Sequence, residues 1–231
     1  MDLFADSVSP KGRVEIFTCR GKPKLTLLNP VVRFGRLKLL EDAGRVPRVF
    51  HEHDLDFSGC DLIGTQDMMN IIVNQGKDTV INSLVTGYIN PIVRMAVGDR
   101  GTISSDPTSP RVAQPTQTSL FNEIYRDKIE ATFLLSQTTP GAHGVQFIKT
   151  VSASSIPPGA YGNQANPVIS EVGLISADIL TGLPIGSRPA IYDPADAPAD
   201  EKLFAIRTFK SVPFEASNDI SVTIRYTIFI E

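Results

Sequence analysis

Ser221-Val-Thr-Ile-Arg-Tyr-Thr-Ile-Phe-Ile-Glu231 is the stretch whose reading decides the fold. Val222, Ile224, Tyr226, Ile228 and Ile230 fall on one side of it. Ser221, Thr223, Arg225, Thr227 and Glu231 fall on the other, with Phe229 the one apolar intruder. Side chains of an extended strand point to opposite faces in turn, so this period of two predicts a strand with one buried face. Eleven extended residues reach about 35 Å, longer than a typical strand, and such a strand needs a partner. Residues 202–210 share its β-rich character and are the expected partner. The polar, Pro-broken residues 211–219 between them cannot continue either strand. The pair is expected as a β-hairpin, or as two strands joined across a sandwich.

Working outward, strands are predicted at 13–20, 25–28, 31–40, 48–50, 91–98, 127–135, 145–151 and 168–175. Residues 68–73 read as a strand or as the approach to a helix. The period changes only once. Val80, Ile81, Leu84 and Val85 recur at helical spacing, and Gly87 is a plausible stop, so a helix is predicted over 77–86 with its apolar stripe packed on a sheet. Residues 99–118, 152–167 and 178–200 are rich in Gly, Pro, Ser or Asn and read as long surface excursions. The predicted class is mainly β: an antiparallel, jelly-roll-like β-sandwich with one short helix and long loops. Residues 1–67 are expected as an N-terminal β appendage or arm, and 68–231 as the sandwich domain.

Composition narrows the function. A net charge of −3 gives no basic excess to neutralise phosphates, so no nucleic-acid partner is expected. No apolar run reaches the length of a membrane span, so no membrane partner is expected. Met1-Asp-Leu-Phe-Ala-Asp6 has neither a basic nor an apolar leader segment, which predicts folding in a reducing cytoplasm. Cys19 and Cys60 are accordingly expected as two buried thiols, with a disulfide as the alternative.

The search for chemistry yields little. His51 and His53 alternate on an extended stretch beside Asp54, Asp56 and Cys60, but no further ligands follow at metal-site spacing, so a solvated loop is expected and no metal is assigned. His143 lies in a turn-like Pro140-Gly-Ala-His-Gly144, without the Gly-x-Ser-x-Gly of a nucleophile elbow. Phosphate- and dinucleotide-binding glycine motifs are absent from the sequence, and no cofactor is assigned. Glu123, Glu130 and Glu171 are the acids of the better-ordered part and are read as structural or surface groups. Tyr88, Tyr125, Tyr161 and Tyr192 are conceivable sugar contacts, though core or surface tyrosines are the plainer reading. No catalytic residue is assigned.

One ordered constellation remains. Asn70-Ile-Ile-Val-Asn-Gln-Gly76 leads into the predicted helix. Met95-Ala-Val-Gly98 and Asp99-Arg-Gly-Thr102 precede a Pro-rich loop. Thr118-Ser-Leu-Phe-Asn-Glu-Ile-Tyr-Arg126 is followed by Ile169-Ser-Glu-Val-Gly-Leu174, Leu203-Phe-Ala-Ile-Arg207 and the alternating strand. Glu123 and Arg126, three apart, can pair on a helical turn. Gly173 permits close approach of another backbone, or a bulge. This order, spanning about residues 70–231, resembles a group of tailed-bacteriophage virion proteins. Arg100 departs from it, standing where the pattern has glycine. The resemblance implies a non-enzymatic tail, neck, collar or baseplate–fibre protein of the virion, assembled in the host cytoplasm. Its implied partners are copies of itself and other virion proteins. A capsid decoration protein and a carbohydrate-binding host-attachment module are the alternatives.

Overall fold

The computed structural model describes residues 11–51, 53–69, 71–87, 90–135, 143–152, 155–156, 168–178, 184–213 and 220–230. In chain order these form β1 (Lys11–Arg20), β2 (Lys24–Leu27), α1 (Arg36–Asp42), β3 (Val49–Phe50), β4 (His53–Asp56), β5 (Cys60–Met69), β6 (Ile71–Ile72) and α2 (Asn74–Thr86). There follow β7 (Ile92–Gly98), β8 (Thr102–Ile103), β9 (Asp106–Pro110), β10 (Glu123–Lys128), β11 (Ala131–Leu135), β12 (His143–Ser152), β13 (Val168–Ala177), β14 (Glu201–Pro213) and β15 (Ile220–Ile230). The protein is mainly β, with antiparallel sheets and two α-helices among the described residues.

One sheet has six strands in the order β3-β11-β12-β15-β1-β5, and the other five in the order β10-β7-β13-β14-β6. Every pairing in the two sheets is antiparallel except the short β11–β3 contact. The alternating strand β15 lies inside the six-stranded sheet between β12 and β1. Its Val222, Ile224, Tyr226 and Ile228 join Val14 and Ile16 of β1 in the main core. Met95 and Val97 of β7, Val172 and Leu174 of β13, and Phe209 of β14 belong to the same cluster. The principal core therefore draws on both sheets.

The hairpin expectation is corrected. β14 pairs with β13 and β6, while β15 pairs with β1 and β12, so the two strands belong to different sheets. Alternation tells which residues of a strand are apolar, but it does not name the neighbour. A second correction concerns 127–135, expected as one strand. Ile129 N–H donates to Val93 O in one sheet and Glu130 N–H to Ile148 O in the other, so the chain changes sheets between β10 and β11.

The expected strand over 31–40 is also corrected, because α1 occupies its second half. Gly35, at φ 61, turns the chain out of extended conformation. The run Arg36-Leu-Lys-Leu-Leu-Glu that follows consists of straight-chain helix formers. Lys38 then pairs with Asp42 one turn on, at 3.2 Å. The stretch from His53 to Cys60, expected as a solvated loop, holds β4 and the start of β5. Residues expected as an appendage thus supply β1 and β5 to the six-stranded sheet, and β1 pairs directly with β15.

They also cover that sheet. Leu25 and Phe50 pack with Phe133 and Ile148. Phe57 stacks on Phe17 at 4.2 Å, and the Arg225 guanidinium lies 5.3 and 5.0 Å from the two rings. The polar side of β15 is therefore buried as well, contrary to the expectation of a single buried face: Ser221, Thr223 and Thr227 are inaccessible. Hydrogen bonds make this tolerable. Thr150 and Thr223 share one at 3.1 Å, Gln146 Nε2 donates to Thr227 Oγ1 at 3.2 Å, and Arg225 reaches Glu15 at 3.2 Å. Cys19 sits directly opposite Cys60 in the β1–β5 register, and the two form a disulfide. This corrects the expectation of free thiols. Composition could not place two residues 41 apart side by side.

Candidate functional site

The sequence motifs meet at the roots of the long excursions. Glu171, in β13, is wholly buried. Its Oε2 accepts the Phe121 N–H and its Oε1 the Asn122 N–H, both at 2.8 Å. Asn122 Nδ2 donates to Asp99 Oδ1 at 2.6 Å, and the Gly101 N–H donates to Ser170 Oγ at 2.8 Å. Both ends of the 99–122 excursion are thereby fastened to one strand. The glycines are required by space. A Cβ on Gly98 would collide with Asn122 O and the Glu171 carboxylate, and one on Gly101 with Ser170 O. Burial pushes the Glu171 carboxyl above its ordinary value, although backbone N–H groups of Asn122, Phe121 and Arg100 pull the other way.

A second buried carboxylate fastens residues 184–200. Glu201 Oε1 lies 2.8 Å from Arg94 Nε and accepts from Arg188 Nη1 at 2.8 Å. Its Oε2 accepts from Arg126 Nη1 at 3.0 Å. Arg126 also forks onto both oxygens of Glu123, at 2.7 and 2.8 Å, and Arg188 reaches Asp200 at 2.6 Å. Three guanidiniums thus face three carboxylates, and the Glu201 side chain is fully shielded from water. Burial is the largest influence on Arg126 and Arg188 and opposes their charge. Their acidic partners together outweigh it and hold both above the ordinary range. For Arg94, burial prevails and lowers it. Arg94 Nη1 further donates to Pro189 O at 2.8 Å, and Arg126 and Ile191 exchange backbone hydrogen bonds. This is a set of internal fasteners whose product is a fixed excursion.

The Glu123–Arg126 pair forms as the sequence suggested, but on strand β10 and not on a helical turn. Residues three apart on a regular strand face opposite sides. The register shift between Glu123 and Tyr125 brings them to the same side. Gly173 makes room for side chains, not for another backbone: a Cβ there would press on Leu203 and Leu120. Sequence reasoning missed Arg94, Arg188 and Glu201. A usable signal was present, since Arg94 interrupts the otherwise apolar Pro91-Ile-Val-Arg-Met-Ala-Val97, and a charge within a buried run demands a partner.

The remaining candidates are dispersed. Among the metal-like residues, Cys60 is in the disulfide and Asp56 accepts the Ser58 N–H at 2.8 Å, which holds its carboxyl below the ordinary range. His51 is exposed, as is Asp54. His53 lies in β4, and His143 opens β12 opposite Ile230. Glu130 meets Lys22 at 3.1 Å. Tyr125 is buried and donates to Asp127 Oδ2, which also accepts from Lys149 Nζ at 2.6 Å. Tyr192 lies tilted against Tyr125, their ring centroids 5.7 Å apart, and is half exposed. Tyr88 and Tyr161 lie outside the described residues, as do most of 152–167 and residues 179–183.

The outer surface carries the other unexpected feature. The helix α2 begins three residues earlier than predicted and ends at Gly87 as predicted, but its apolar stripe points away from the sheet. Leu84 and Val85 are 80% and 79% exposed, and Val80 and Ile81 are about half exposed. The contact with the sheet is made by the other side. Gly76 rides on the Phe204 backbone, and Thr79 is buried. A polar groove of about 580 Å³, lined in part by Gln75, Asp78, Asn82, Asp178 and Asp200, lies along that side. A second apolar surface surrounds α1, which buries none of its seven residues. Phe34 is 81% exposed, and Val32 and Leu39 are nearly as open. No family model and no curated protein matches this chain.

Proposed function

We propose that the chain is a non-enzymatic structural component of a tailed-phage particle: a tail, neck, collar or baseplate–fibre protein that works through oligomeric sheet and loop contacts. In this reading the two sheets are the layers of a jelly-roll-like sandwich, which the core shared between them supports. The observation that carries the proposal is the fastening of both described excursions by the buried carboxylates of Glu171 and Glu201. An excursion already fixed at its roots loses little conformational freedom on docking, so more of its contact energy is available for binding. The first fastener is made by motif residues that carry the resemblance, Gly98, Gly101, Asn122 and Glu171, and the second draws Glu123 and Arg126 from the same motifs.

Electron microscopy of a particle containing the chain tests this. The expected result is density for residues 99–122 and 184–200 at contacts with neighbouring subunits, in a copy number set by tail or neck symmetry. A copy number in the hundreds over the capsid surface would move the protein to the decoration role. Absence from particles would overturn the proposal.

A further inference from the structure

We infer that Lys149 and Asp127 join through an isopeptide bond that ties the two sheets together. The lysine stands in β12 of the six-stranded sheet and the aspartate in β10 of the five-stranded one, beside the place where the chain crosses between them. Lys149 Nζ lies 2.6 Å from Asp127 Oδ2. A nitrogen that close to one carboxyl oxygen is also near the carbon that bears it, in the range of about 3–3.5 Å for groups poised to react. The two side chains are only 6% and 17% exposed, so water does not draw the amine away from its partner. Lys22–Glu130 and Lys38–Asp42, by contrast, hold their amines in solvent. The buried pairs of Glu123 and Glu201 use guanidiniums, which stay protonated and do not attack a carbonyl.

The surroundings supply what the reaction needs. The Tyr125 hydroxyl donates to Asp127 Oδ2 at 3.1 Å and steadies negative charge on that oxygen when the carbon becomes tetrahedral. Glu130 Oε1 stands 4.0 Å from Lys149 Nζ, a second carboxylate placed to take a proton from the ammonium. Burial pushes the Asp127 carboxyl up, but Lys149, the Lys128 N–H and the Tyr125 hydroxyl outweigh it and hold the carboxyl below its ordinary range. The resting pair is therefore ionic, and a proton must leave the ammonium before its nitrogen can attack. Glu130 takes that proton, Nζ bonds to Asp127 Cγ, and the bond from Cγ to Oδ1 breaks. The departing oxygen leaves as water with two of the three ammonium protons, one of them returned by Glu130, and the third stays on the amide nitrogen. The step consumes no oxidant, reductant or co-reactant. A cavity of about 470 Å³, lined by both side chains, receives the water. Two buried charges become one neutral amide, which is less costly to keep from solvent. Groups held in place in this way react with effective concentrations that reach about 10⁵ M.

Mass spectrometry of the purified full chain, reduced and denatured, tests the bond. Wild type is expected to be lighter than its sequence by one water, and a tryptic digest to yield a branched peptide joining the segments around Asp127 and Lys149. Lys149→Arg keeps the charge, removes the nucleophile and is expected at full sequence mass. Glu130→Gln keeps the shape of the side chain, and its cross-linked fraction, followed from the start of expression, is expected to rise about 10²–10⁴-fold more slowly. Circular dichroism checks that each chain is folded; should Lys149→Arg not fold, the branched peptide of wild type decides. A folded wild type at full sequence mass, a loss of water without the branched peptide, or a Lys149→Arg chain that still loses water would overturn the bond. A Glu130→Gln chain that cross-links as fast as wild type would overturn the proton transfer given to Glu130. The purified chain suffices for these measurements, so a missing cross-link leaves the virion reading standing, and absence from particles leaves the cross-link standing.

Discussion

Replacing Glu201 by Gln keeps the shape of the side chain and removes one charge from the balanced set of Arg94, Arg126 and Arg188 against Glu123, Asp200 and Glu201. The Glu201 side chain is inaccessible, and those of Arg94 and Arg188 are nearly so. Water cannot replace the lost charge, and of the three carboxylates in the set Glu123 and Asp200 remain. Leaving a buried charge uncompensated costs about 3–5 kcal/mol. For a chain of this size each kcal/mol lowers Tm by about 2–4 °C, so Tm should fall by about 6–20 °C. Guanidinium unfolding should show a lower midpoint with an unchanged slope. The double variant Glu201→Gln/Arg188→Met restores the balance of charge. It should be less destabilised than the sum of its single variants, by about 1 kcal/mol or more. A cost for Glu201→Gln below about 1 kcal/mol, the range of an exposed pair, would refute the claim that this network is a buried fastener.

The remaining predictions concern the same fasteners and the β1–β5 pair. Glu171→Gln leaves a backbone N–H of 121–122 without its acceptor and should cost about 1–3 kcal/mol, with faster amide exchange at Phe121 and Asn122. Burial raises the folded pKa of Glu171, so its contribution to stability is complete below the unfolded carboxyl pKa and is lost as pH rises through the folded one. The Gln variant should lose that part of the pH dependence, and an unchanged stability–pH curve would count against the assignment. Gly101→Ala forces a methyl group against Ser170 O and should destabilise the base of the 99–122 excursion, seen as new proteolytic cleavage there; resistance equal to wild type would sink that reading. Cys19→Ser/Cys60→Ser opens a loop of 41 residues and should cost about 2–4 kcal/mol in urea unfolding under oxidising conditions, with no difference from wild type once both are reduced.

Much of the strand content was legible because a period of two is written residue by residue. Ser221 to Ile230 declares β15, and Val145 to Val151 declares most of β12. The helix before Gly87 was legible for the same local reason. The convergence of the motifs on Glu171 was not, since Phe121 and Asn122 stand about fifty residues away from it in the chain.

What the sequence determined by itself is the set of apolar faces and the glycine that ends α2, which follow from neighbours along the chain. Only the tertiary structure decided that β14 and β15 part into different sheets and that the chain crosses between sheets at Ile129 and Glu130. It also decided that Arg94 finds Glu201 and that the stripe of α2 faces outward. Those outcomes depend on which surfaces compete for the same core, and a hydrophobic period states how much each surface gains by burial without stating against what.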